Sequence, residues 1–116
     1  MRLWKRERQS KGLSDETMRR EVRRRLEPLR TRPYVELKDL PEFSTEDVVV
    51  EGIGAEITIY REGSAPGPVE IVVQFATESE PFLRFFRMSQ VVAEGFRVYP
   101  DGAVSDMLER ELYYWM

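Results

Sequence analysis

Apolar side chains recur along this chain with two different periods, and the switches between them outline its elements. Met18, Val22 and Leu26 follow one another every four residues, and Leu29 extends the row. That spacing lines one narrow face of a helix, and it predicts a helix over residues 14–27. Ser14 suits the N-cap, and Asp15 and Glu16 place negative charge in the first turn, where the helix dipole favours it. Pro28 is expected to end the helix, because a proline ring clashes with the preceding turn. From Tyr34 onward the period becomes two. Tyr34–Leu37 reads as a short strand between Pro33 and Pro41, and Thr45–Glu51 as a valine-rich one. Ala55–Arg61 and Val69–Ala76 alternate cleanly: Ala55, Ile57 and Ile59 share one face, as do Val69, Ile71, Val73 and Phe75. Such alternation predicts antiparallel strands with one buried face. Gly52-Ile53-Gly54 is expected to make the first turn and residues 62–68 a longer loop, giving a three-stranded meander.

Helical spacing then returns. Phe82, Phe85, Phe86, Ser89, Val92 and Ala93 would share a broad apolar face, with Ser79 as N-cap, Pro81 in the first turn and Gly95 as the C-terminal cap. Phe96–Tyr99 reads as a strand and Pro100-Asp101-Gly102 as a turn. Asp106-x-x-Glu109 reads as a capping box opening a last helix. On that helix Leu108, Leu112 and Trp115 share a face, with Tyr113, Tyr114 and Met116 beside it. The expected fold is thus a two-layer α+β domain: an antiparallel three- to five-stranded sheet with helices on one face and a basic N-terminal helix.

Charge divides the chain more sharply than hydrophobicity does. Residues 1–32 carry 12 Lys or Arg against 5 acids, a net of +7, whereas residues 33–116 carry 6 against 16, a net of −10. The overall −3 hides this asymmetry, which is a pointer to an interaction tail. Residues 1–32 read as a basic arm plus amphipathic helix, and residues 33–116 as an acidic α+β domain. Within the arm, residues 1–12 lack an apolar period and are expected to be mobile. Arg19, Arg20, Arg23, Arg24 and Arg25 cover most of the helix away from its apolar stripe.

Composition excludes much chemistry. Among 116 residues there is no Cys and no His. Thiol nucleophiles, disulfides, Cys-ligated metal centres, imidazole bases and imidazole ligands are therefore unavailable. Gly52-x-Gly54 lacks the third glycine and the following helix of a dinucleotide loop. Carboxylates are the remaining catalytic material, in three groups: Glu42, Glu46 and Asp47; Glu78 and Glu80; Asp101 and Asp106. None has the spacing of a calcium loop. Lys5, Lys11 and Lys38 lie in polar contexts, where an ammonium is a poor base. No run approaches the roughly 18 apolar residues of a membrane span, and the N-terminus lacks the hydrophobic region of a secretory signal.

These readings point to a small non-enzymatic protein-interaction module in the cytoplasm, a homodimer or an adaptor, with no cofactor and no metal. Its electrostatic contacts fall to Arg19, Arg20, Arg23 and Arg24, and its apolar contacts to Tyr113, Tyr114 and Trp115, since aromatics favour interface cores. One alternative is nucleic-acid binding through the basic arm, where Trp4 among Arg2, Lys5, Arg6 and Arg8 would add stacking. Against it stands the anionic body, which repels a phosphate backbone. Anionic membrane contact through the same arm ranks lower. A small-molecule site or carboxylate-based enzyme is a further alternative, and it requires several acids to converge.

Overall fold

The computed structural model describes residues 12–77 and 90–116. It is an α+β fold: a five-stranded, wholly antiparallel meander in the order β1-β2-β3-β4-β5, with a basic helix across it. The strands are β1 (Phe43–Val50), β2 (Ile53–Glu62), β3 (Val69–Thr77), β4 (Val91–Val98) and β5 (Val104–Asp106). Helix α1 (Asp15–Arg30) and the single turn α2 (Tyr34–Leu37) precede the sheet. Another single turn, α3 (Glu109–Leu112), follows it and runs into a 3-10 turn at Tyr113–Trp115.

The four-residue stripe docks α1 on β3 and β4. Met18, Val22, Leu26 and Leu29 are all buried, together with Ile71, Val73, Phe75, Val92 and Phe96 from the strands. Each such side chain contributes on the order of 1.5–3 kcal/mol by leaving water. Ser14 caps the helix as its identity predicts, its Oγ accepting from the Thr17 N–H at 3.0 Å. Pro28 does not end the helix, which continues to Arg30. One residue further, Leu29 reaches the core at 8% exposure, and its burial offsets the backbone hydrogen bond that proline cannot donate. A clasp fixes the other end of α1. The Gln90 side-chain amide donates to the Leu13 carbonyl at 2.7 Å, and its oxygen accepts from the Leu13 N–H at 2.8 Å.

Several expectations need correction. Tyr34–Leu37 is a helical turn rather than a strand, with Leu37 buried and the Tyr34 hydroxyl donating to the Gly67 carbonyl at 2.7 Å. The β1–β2 turn is Glu51-Gly52, one residue earlier than expected, since Val50 pairs with Ile53. Both turn residues have positive φ, 51° and 79°, as a two-residue hairpin of matching twist requires. Val92, Ala93 and Gly95 belong to strand β4, not to a helix that Gly95 would cap. The N-terminal part of that expected helix, with Phe82, Phe85, Phe86 and Ser89, lies outside the described residues, as does the arm through Lys11. Asp106 ends β5 instead of capping a helix. Glu111 does the local capping, its carboxylate accepting from the Leu108 N–H at 2.7 Å. Leu108 is exposed rather than sharing the buried face of Leu112 and Trp115.

The C-terminal turn adds a small layer on the side of the sheet away from α1. There Val72, Ala93, Met107, Leu112 and Trp115 form a second buried cluster, with Tyr60 packed against it. Arg97 ties this layer down, donating to Glu70 at 2.5 Å and Glu111 at 2.6 Å.

Candidate interaction surfaces

The arginines singled out by sequence stand along α1, and each has a carboxylate partner within the same chain. Arg19 Nε donates to Asp15 at 2.7 Å, and Arg19 and Arg23 reach opposite oxygens of Glu94 on β4, at 3.3 and 3.2 Å. Arg20 lies 3.7 Å from Glu16 and Arg24 3.4 Å from Glu21. Arg25, on the flank, bridges Glu21 at 3.2 Å and Glu46 of β1 at 3.6 Å. The hydrogen bond to Asp15 holds Arg19 even further above its ordinary pKa, so its charge is permanent. Arg20 and Arg24 remain mostly exposed. Ion pairs this open to water stabilise a fold by about 0–1 kcal/mol each, so an external anion can exchange with them at little cost.

The C-terminal aromatics form a second surface behind the sheet. Trp115 is buried and closes the second core, its ring 4.7 Å from that of Tyr60. The Gln74 amide donates to the Trp115 carbonyl. Upon this base Tyr114 stands edge-on to the indole at 5.1 Å while remaining 82% exposed. Tyr113 is 66% exposed, and Leu108 and Met116 of the same C-terminal segment are exposed as well. A hollow of about 270 Å³ beside it is lined by Glu62, Glu70, Met107, Glu111, Tyr114 and Trp115. Arg97 and the Leu108 N–H keep the turn in place electrostatically. The Leu108 N–H, chiefly, and then Arg97 lower the Glu111 pKa, and Glu111 and then Glu70 push the Arg97 guanidinium well above its usual value. The two surfaces expected from sequence are therefore not brought together: the sheet separates Arg19, Arg20, Arg23 and Arg24 from Tyr113, Tyr114 and Trp115.

The sequence-selected carboxylates are likewise dispersed. Glu42, Glu46 and Asp47 lie on or beside β1, and Asp106 is held by Arg30 at 2.6 Å. Asp101 is the sole carboxylate lining an open cleft of about 390 Å³, which Arg30, Arg32, Tyr34, Val35 and Val104 also border. Glu78 and Glu80 lie outside the described residues. Among the described residues no three acids gather as a metal site, and no helix is long and apolar enough to cross a membrane.

Three features escaped the sequence reading. Arg97 and Glu70 occupy facing register positions, a pairing visible only once the strand order is known. Gln90 shows no sequence signal for its clasp. The exposed Phe43 and Val49 of β1 sit among acids, and that mixture of apolar and charged neighbours was their available signal. No family model, curated protein or solved structure matches this chain.

Proposed function

We propose that this protein is a non-enzymatic protein-interaction module of the cytoplasm, acting as a homodimer or as an adaptor to a larger partner. The observation that carries the reading is the pairing of a fixed base with an open aromatic surface. Trp115 is buried against Tyr60 and held through Gln74, while Tyr113 and Tyr114 present their rings to water. Tyrosine offers a large contact area with few rotatable bonds, so its ordering on association costs little entropy. Preorganisation by Trp115 and by the Arg97 clamp lowers that cost further. The exposed arginines Arg20 and Arg24, with Arg19 and Arg23 beside them, supply steering charge on the opposite side, where charge affects encounter rates more than final affinity.

Sedimentation over a range of protein concentrations tests the self-association branch, and co-purification on the immobilised full chain tests the adaptor branch. Replacing Tyr113 and Tyr114 with serine should weaken either association by at least about tenfold, the loss expected for central aromatic contacts. Circular dichroism should remain unchanged, because neither ring belongs to a core. Association of undiminished strength in that double variant overturns the reading.

A further inference from the structure

Among the described residues β1 is an outer strand of the sheet, paired only with β2. Its register with β2 runs unbroken from Phe43↔Tyr60 to Val50↔Ile53. The Arg61 N–H donates to the Glu42 carbonyl at 2.9 Å, so Glu42 turns its backbone toward β2. Antiparallel pairing alternates from there, so Ser44, Glu46, Val48 and Val50 bond inward. Phe43, Thr45, Asp47 and Val49 turn their backbone N–H and C=O groups outward. Among the described residues, no hydrogen bond engages those outward groups.

Proteins usually blunt such an edge with a bulge, a proline, charged side chains (lysine above all) or a covering element. β1 has no proline or lysine and no break in register, and Phe43 and Val49 are exposed at 64% and 74%. Its charges are all acidic: Glu46 and Asp47 at its centre, Glu42 before it and Glu51 after it. Arg25, 3.6 Å from Glu46, is the one cation paired to these acids among the described residues. A second copy pairing antiparallel along the whole strand would set Glu46 or Asp47 against its own counterpart, and like charges directly opposite destabilise a sheet.

We infer that the free edge of β1 takes up an extended peptide segment of another protein as a sixth strand, one with basic residues at its centre and apolar residues on either side. Main-chain bonds to Phe43, Thr45, Asp47 and Val49 supply affinity, as in strand addition generally. Lysine or arginine opposite Glu46 and Asp47 fixes the register, and flanking apolar side chains cover Phe43 at one end of the strand and Val48, Val49 and Val50 at the other. The inference goes beyond the C-terminal surface and shares with it only the premise that the ligand is a protein.

The test uses the 15N-labelled full chain and the probe acetyl-Val-Thr-Val-Lys-Arg-Val-Thr-Val-amide, followed by amide hydrogen exchange. Binding should slow exchange at Phe43, Thr45, Asp47 and Val49 and leave the already bonded Ser44, Glu46 and Val48 unchanged. A probe N-methylated at the amides facing β1 should not bind. In the variant Glu46→Lys/Asp47→Lys, affinity for the basic probe should fall at least about tenfold, and a Glu-Glu-centred probe should bind in its place. Peak dispersion in the same spectra reports that the variant is folded. The inference is overturned if the basic probe fails to bind, if the N-methylated probe binds equally well, or if the four amides become protected with rising protein concentration alone. Tyr113→Ser/Tyr114→Ser should bind the probe as the native chain does, so loss of the C-terminal association leaves this result standing.

Discussion

At Gly95 one added carbon has nowhere to go. A Cβ there would lie 2.6 Å from the Ile71 carbonyl oxygen on the neighbouring strand β3 and 3.0 Å from the Met107 sulfur of the C-terminal layer. Gly95→Ala should therefore destabilise the fold by about 1–3 kcal/mol, the usual cost of overpacking, measurable by urea denaturation. Glu111 makes a different prediction. Its folded pKa is lowered, first by the Leu108 N–H and then by Arg97. A depressed carboxylate stabilises the fold fully above its ordinary value of 4.5, and that increment disappears as pH falls through the lowered value. Native chain and Glu111→Gln should thus differ in urea midpoint at pH 7, with the native chain more stable. The gap should close as the solution is acidified below pH 4.5. A gap that persists unchanged at pH 2 would mean that ionisation of Glu111 contributes nothing.

Among the elements, α1 shows a conflict between local preference and packing. Pro28 removes the N–H that would meet the Arg24 carbonyl, yet the helix runs on to bury Leu29. Pro28→Ala restores that donor without touching the core, and should raise stability by up to about 3 kcal/mol, read as an upward shift of the urea midpoint. Strands β2 and β3 were legible in the sequence because Ile57 and Ile59 alternate with Glu56, Thr58 and Tyr60, and Ile71, Val73 and Phe75 keep the period of two with Glu70 and Gln74 between them, Val72 being the apolar exception. Strand β4 was not, for a physical reason. Both of its faces are covered, by α1 over Val92 and Phe96 and by the C-terminal turn over Ala93. Consecutive apolar residues resulted, and with the upstream phenylalanines they imitated a helical period. Tyr34–Leu37 is too short for either period to declare itself. Of the candidate surfaces, the arginines and tyrosines were visible as clusters in the chain. The β1 edge was not, because an edge is defined by what fails to pair with it.

For the whole molecule, the arginine helix and the acidic sheet are already reconciled within one chain through Arg19 and Arg23 to Glu94 and Arg25 to Glu46. Replacing Arg19, Arg20, Arg23 and Arg24 together with alanine should leave the circular dichroism spectrum native, because none of the four belongs to the core and the pairs of Arg20 and Arg24 are open to water and contribute little. The same replacement should slow association with a partner and flatten its dependence on ionic strength, as stopped-flow mixing at low and high salt would show. The Gln90–Leu13 clasp has a temporal corollary. It joins the Leu13 backbone to a side chain 77 residues away, and the seat for Met18, Val22, Leu26 and Leu29 is complete only once β4 has been made. During synthesis α1 therefore emerges first and waits for about 70 further residues, roughly 4–14 s at ordinary translation rates. In that interval the apolar stripe lacks its seat, with only the flanking arginines of its own helix beside it.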